Sequence, residues 1–235
     1  MSRLTSDSEI IVEMKDVVVQ KNGRKILGPI TLKIHKGEYV GIIGRNGSGK
    51  TTLLRSIAGI TKIYKGHISS HESGYVFQNP DNQIVGSTVF EDIKFSVMNL
   101  GMFPEKEDNY VETILKEHSL YPLKNRDTLT LSGGQKQKLS LVSVLAMKPE
   151  LLLLDEPFSM LDRIQRHDIQ HFLNSLNTKS ISLVVAGIKL YDLIHCSRII
   201  LLEEGEIIFD GTKEEISNNN DLFRKSSISV PEYIG

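Results

Sequence analysis

Gly44-Arg45-Asn46-Gly47-Ser48-Gly49-Lys50-Thr51 follows a short apolar run, Tyr39 to Gly44, and leads into Thr51 to Ala58, where apolar residues recur at helical spacing. Strand, glycine-rich loop and helix therefore succeed one another, the setting in which this pattern binds phosphate. Glycines are required because the backbone must wrap a triphosphate closely enough to aim its N–H groups inward, and the following helix adds its positive end. In this reading Lys50 reaches the β- and γ-phosphates as a point charge, and the Thr51 hydroxyl coordinates Mg²⁺.

Upstream, Ile10 to Val19 and Ile30 to Ile34 alternate in polarity on either side of Asn22-Gly23, which predicts antiparallel strands joined by a tight turn. Between Pro80 and Lys148 the periodicity becomes helical, over Val89 to Leu100, Glu105 to His118 and a segment starting at Ser132. Beyond Pro149 strand signals return at Leu151 to Leu154 and Leu183 to Ala186, with a helix from about Arg163 to Leu176 between them. Strands alternating with helices imply a parallel sheet. Gly205 and Gly211 bracket a final hairpin strand, and the polar stretch Ser217 to Asp221 opens a tail. The expectation is an α/β fold with an N-terminal antiparallel β subdomain and an inserted α-helical lobe at about 80–148. The whole chain, 1–235, is expected to be one domain with a short tail at about 217–235.

A length of 235 residues with 40% hydrophobic content suffices for one sizeable core. Lys+Arg 28 against Asp+Glu 29 leaves a net charge of -1, so no chain-wide field favours nucleic acid or anionic lipid. Apolar runs fall far short of the roughly 20 residues that span a bilayer. The opening MSRLTSDSEI lacks the basic start and apolar stretch of a signal peptide, which predicts a cytosolic chain. Cys196, the single cysteine, forms no internal disulfide and is expected to serve packing.

Two further segments carry chemistry. Leu151-Leu152-Leu153-Leu154-Asp155-Glu156-Pro157 reads as a buried strand that delivers an acidic pair at its carboxyl end, where α/β sheets bind ligands. Asp155 is placed to hold the Mg²⁺ shell, and Glu156 to orient or deprotonate an attacking water. Leu131-Ser132-Gly133-Gly134-Gln135 opens a helix whose serine hydroxyl and free N–H groups make a second anion site. Since one nucleotide has one γ-phosphate, two such sites suggest two chains head to tail, each ATP held by one loop and the other chain's Ser-Gly-Gly.

Together, the loop at 44–51, LSGGQ at 131–135 and LLLLDEP at 151–157 resemble an ABC ATPase over nearly the entire chain. The resemblance implies a P-loop NTPase (RecA-like) core that hydrolyses ATP with Mg²⁺. It implies nucleotide contacts from Gly44 through Thr51 and from Thr52, Ser132, Gly133, Gly134, Gln135 and Asp162. Glu156 and Gln78 take the catalytic roles, and Thr51, Gln78 and Asp155 hold the metal. Gln78, in Tyr75-Val76-Phe77-Gln78, matches the glutamine that senses the γ-phosphate and the transmembrane partner. Ser159-Met160-Leu161-Asp162 resembles the loop that contacts the opposite protomer. A narrower likeness lies in Val76 to Val85, in Leu131 to Lys138 and in Val230-Pro231, which resemble the ATPases of energy-coupling factor importers of vitamins, cobalt or nickel. That likeness implies a second ATPase chain, a transmembrane T-subunit docking beside Gln78, a small substrate-binding membrane subunit and no nucleic acid. It places the chain on the cytoplasmic face of the cell membrane.

Two positions depart from the family. Ile188, in Ala186-Gly187-Ile188-Lys189, stands where a histidine usually follows the last core strand, and Ile cannot hydrogen-bond a phosphate; His195 is expected on the next helix, as a surface or packing residue. Losing one such donor costs on the order of 10² to 10³ in rate, so hydrolysis at this loop is expected to be slow. Lys21 stands where an aromatic usually stacks on adenine, its aliphatic stem the substitute. Both departures suggest a heterodimer that lends Ser132-Gly133-Gly134 to a sister ATPase, with a homodimer as the alternative. Chromosome-type ABC ATPases separate their motifs by a long coiled coil, whereas Lys50 and Asp155 are 105 residues apart. A nucleotide sensor without turnover has no chemical need for Glu156.

Overall fold

The computed structural model describes residues 9–98, 100, 104–178 and 181–218. Strands β1 (Ile10–Lys21) and β2 (Arg24–His35) form the hairpin that Asn22-Gly23 foretells, both turn residues having positive φ. Then come β3 (Tyr39–Ile43), α1 (Lys50–Ile57), β4 (Lys65–Ser70) and β5 (Ser73–Val76). The helical segment contributes α2 (Val89–Met98), α3 (Pro104–Glu117) and α4 (Gly133–Leu145). The chain closes with β6 (Leu151–Asp155), α5 (Arg163–Asn177), β7 (Ser182–Gly187), β8 (Arg198–Glu203), β9 (Glu206–Thr212) and α6 (Lys213–Ser217). The tail beyond 218, with Val230-Pro231, lies outside the described residues.

Two sheets result. One is antiparallel, in the order β2-β1-β4; the other runs β5-β6-β7-β3-β8-β9 and is parallel except for the β8–β9 hairpin. Every residue of β3, β6 and β7 is buried, as expected of parallel strands covered on both faces. Successive side chains of a strand point to opposite faces, and the core divides accordingly. Leu151 and Leu153 join Val40, Ile42 and α1 residues Leu53, Leu54 and Ile57 against the antiparallel sheet. Leu152 and Leu154 join Ile43, Leu141 of α4 and Ile169, Leu173 and Leu176 of α5 on the other side. The spacing 169, 173, 176 is one helical stripe, which is why α5 lies flat on the sheet.

A third core holds the lobe together, built from Val89, Ile93 and Val97 of α2, Val111, Ile114 and Leu115 of α3, and Leu139, Val142 and Ala146 in and beside α4. Thus α4 packs both ways, joining lobe and sheet. Two strands went unread in the sequence: β4, a largely exposed edge strand, and β8. The segment after β7 corrects another expectation, because it makes a single 3₁₀ turn at Leu190–Leu193 and His195 lies beyond it, half-buried, on no helix.

Candidate active site

The loop after β3 is tight because its glycines permit it. Gly47 and Gly49 have φ of 83° and 106°, a region side chains strain to enter, and Gly49 is the N-terminal cap of α1. A Cβ on Gly44 would stand 2.4 Å from the Leu202 carbonyl oxygen. Inside this curl the Lys50 ammonium donates to the carbonyls of Gly44 at 2.8 Å and Arg45 at 3.1 Å, and pairs with Glu156 Oε1 at 3.2 Å. Its side chain is 3% exposed, so all three N–H donors find oxygen, as a buried ammonium requires.

The acidic pair arrives from β6. Thr51 Oγ1 donates to Asp155 Oδ1 at 2.9 Å, and the Tyr75 hydroxyl donates to the other carboxylate oxygen, also at 2.9 Å. Burial first, and the Asp155 charge second, hold the Tyr75 phenol far above its ordinary range, so it stays a donor. Glu156 has φ of 48°, a left-handed backbone in a non-glycine residue, of the kind concentrated at functional sites and costing roughly 1–3 kcal/mol. That twist presents Glu156 Oε2 to Gln78 Nε2 at 3.2 Å. The structure therefore joins Lys50, Thr51, Asp155, Glu156 and Gln78 at one end of the sheet, with Gln78 touching Glu156 rather than Asp155.

This corner fits a triphosphate and Mg²⁺. Thr51 and Asp155 offer hard oxygen ligands side by side, the donor set Mg²⁺ takes. The Ser48 hydroxyl is buried in the loop without a hydrogen-bond partner, an orphan donor that a phosphate oxygen would satisfy. Arg45, Asn46, Gly47 and Ser48 line a cleft of ≈ 220 Å³ with Glu203 and Glu204. Half-buried Thr52 adds a hydroxyl on the first turn of α1.

Ile188 follows β7 as expected and lines a cleft with Glu156, Ser159, Arg166 and Asp192. Asp192 went unremarked in the sequence. Its burial raises its pKa, the Arg166 charge opposing. Lys21 is exposed at the end of β1. His195 lies near His171 instead, with ring centroids 5.7 Å apart.

The remaining expected residues sit elsewhere. Ser132 caps α4: its hydroxyl accepts from Gln135 N–H at 3.3 Å while Gln135 Oε1 accepts from Ser132 N–H at 3.0 Å. Ser132, Gly134 and Gln135 line a different cleft from Glu156 and from the loop residues 45–48, and Ser132 and Gly133 are exposed. Asp162 is exposed and caps α5, accepting from Gln165 N–H at 2.8 Å. Between the two regions runs a polar link that sequence reading left without roles. The Lys136 ammonium on α4 meets Asp81 at 2.6 Å, and Gln83 bridges Phe77 N–H to the Ser140 carbonyl. Asp92, 3% exposed, accepts from the N–H groups of Val85 and Gly86 and from the Ser143 hydroxyl.

A sequence profile of the ABC transporter family matches residues 27–159. An energy-coupling factor transporter ATP-binding protein of Caldanaerobacter subterraneus is 34% identical over 88% of this chain and 80% of its own length. One of Methanocaldococcus jannaschii is 32% identical over 94% of this chain and 86% of its own. Among solved structures, cbiO1 of Clostridium perfringens, part of the ABC transporter complex cbiONQ, is similar with a TM-score of 0.82 and 28% identity, covering 95% of this chain and 96% of that one. An ATP-binding cassette solved as a dimer in a post-hydrolysis state with ADP and Pi has a TM-score of 0.76 and 27% identity, covering 86% of this chain and 98% of that one. The chain belongs to the ABC transporter family, as one of its ATPase cassettes.

Proposed function

We propose that this chain is the ATP-hydrolysing subunit of an energy-coupling factor type importer, working as one ABC ATPase domain over 1–235 with its helical lobe at about 80–148. The observation that carries the reading is the Lys50–Glu156–Gln78 cluster beside Thr51–Asp155. Gly44 to Thr51, with Thr52, hold the phosphates, and Lys50 exchanges its bond to Glu156 for phosphate oxygen. Thr51, Asp155 and Gln78 hold Mg²⁺, which supplies charge neutralisation at the phosphates. Glu156, released from Lys50, takes the proton of the attacking water, and Gln78 orients the pair.

Ser132, Gly133, Gly134 and Gln135 serve the nucleotide of a second ABC ATPase chain, identical or a sister, with Asp162 at the seam. Support comes from the exposure of Ser132 and Gly133 and from a cleft that they do not share with this chain's own loop. Ile188 beside Glu156 favours the sister, which would supply the faster site. Membrane partners, a T-subunit and a substrate-binding subunit, fit the exposed apolar patch of Val85, Phe95 and Met98 on the lobe, adjoining the Gln78 segment through Asp92. Among the described residues no helix is long and apolar enough to cross a membrane, which suits a subunit attached to the cytoplasmic face. The cargo, a vitamin or metal ion, is chosen by the membrane subunit.

The test has two parts. Phosphate release should fall by about 10² to 10⁴ in Glu156→Gln. Affinity purification from membranes should bring down integral membrane proteins and a second ATPase. Equal background release from both proteins would instead favour a sensor that binds ATP without turnover.

A further inference from the structure

On α5, in the cleft beside the Ser132 end of α4 and apart from the loop at 45–48, His167 and His171 stand one turn apart with their Nε2 atoms 3.0 Å from each other. Their ring centroids are 4.2 Å apart, and the half-buried His195 brings a third ring to 5.7 Å from His171. Two imidazoles at this i, i+4 spacing share one helix face, the arrangement by which paired histidines chelate a single ion. Metal–nitrogen bonds of about 2.0–2.1 Å put neighbouring ligand nitrogens roughly 3 Å apart. The backbone beneath is fixed, because Ile169, Leu173 and Leu176 of the same helix are buried on the sheet and the Gln170 side chain donates to the Tyr191 carbonyl. His167 and His171 line an open cleft of ≈ 500 Å³ together with Gln165 and the Ser132 end of α4, so an ion has room.

We propose that His167 and His171 form a chelate for a transition-metal dication of the zinc or copper class, with His195 as a third ligand reached by side-chain rotation. Imidazole selects such ions over Mg²⁺, which takes oxygen ligands, so the site is chemically separate from Thr51 and Asp155. The competing cluster of Glu9, His71 and Glu150 carries nothing similar, because the Lys36 ammonium already meets both carboxylates, at 2.9 and 3.3 Å. The proposal does not depend on the transport reading.

Equilibrium dialysis of the full chain against Zn²⁺, without nucleotide, tests it. One ion per chain should bind. His167→Gln and His171→Gln should each weaken binding by more than about tenfold, the loss that even outer partners of a ligating histidine produce; His195→Gln should cost less. Electron paramagnetic resonance of the Cu²⁺-loaded chain should display nitrogen coupling that the double variant loses. His167 and His171 are surface residues, so circular dichroism should register no change in fold. Absence of zinc uptake, unchanged affinity in both single variants, or nitrogen coupling surviving the double substitution would overturn the proposal and leave a plain imidazole–imidazole hydrogen bond.

Discussion

Around Lys50 the polar groups, Gln78 apart, are buried or half-buried and tied to one another across the sheet, whereas around Ser132 they are exposed or half-buried and tied to their own helix turn. Lys50 reaches two loop carbonyls and Glu156, and Asp155 is held from both sides by Thr51 and Tyr75. Ser132 and Gln135 satisfy each other, and the cleft beside them opens outward. A corner whose groups already stand together needs only the exchange of Glu156 for phosphate at Lys50 when the ligand arrives, and little reorganisation at the moment of reaction. A helix end left open to solvent contributes only when something else is brought against it. In the proposed reading, the difference makes the first a built half-site and the second one offered to another chain, with Gln78–Glu156 and Lys136–Asp81 contacts lying between them.

Four substitutions or conditions sharpen that contrast. Ser132→Ala should leave ATP affinity of the separate chain unchanged while lowering turnover of the assembled ATPase by about 10² to 10³, the cost of one lost donor. It should also lower thermal stability by about 1 kcal/mol through the missing cap, which calorimetry would register separately. Ile188→His tests the corner next to Glu156: it should raise turnover, by up to about 10², if a donor is what that position lacks. No gain would place the limit elsewhere. Tyr75→Phe removes a hydrogen bond to the Asp155 carboxylate, worth roughly 1.5–3 kcal/mol when charged. The Mg²⁺ concentration for half-maximal activity should rise about tenfold or more, with kcat changed less.

The smallest effect is one of pH. Burial, and then the neighbouring His171 and Lys213, hold His195 below its ordinary value of 6.5. Between 6.5 and the lower folded value the unfolded chain binds the extra proton, so stability is intact above 6.5 and declines as pH falls through that window. Thermal melts of wild type should therefore lose ground to His195→Gln on acidification and match it in slope above neutrality.

Most of the fold could be read in advance wherever burial forces a simple pattern. The unbroken apolar runs of β3 and β6 announce strands covered on both faces, and glycines at 44, 47 and 49 announce the curl between β3 and α1. Edge strand β4, Lys65–Ser70, escaped because only Ile68 packs against the core and its other residues are polar or glycine. Asp92 bears no sign of its role in the sequence; its burial goes with three hydrogen bonds to residues 85, 86 and 143, and such partners leave no periodic mark. Tyr75 was legible only as part of the segment leading to Gln78 and not as the group holding Asp155, since that contact depends on β5 pairing with β6 in register. The placement of His195 failed because the chain after β7 makes one 3₁₀ turn where a helix was expected.

Sedimentation of the Glu156→Gln chain, alone and mixed with a co-purifying ATPase, in ATP, in ADP and without nucleotide tests the two half-sites together. Association in ATP only, abolished when Ser132→Ala is added, is the predicted result. A chain that stays monomeric with ATP in both settings, or pairs equally well without nucleotide, would contradict the sandwich of Lys50 against a second molecule's Ser132.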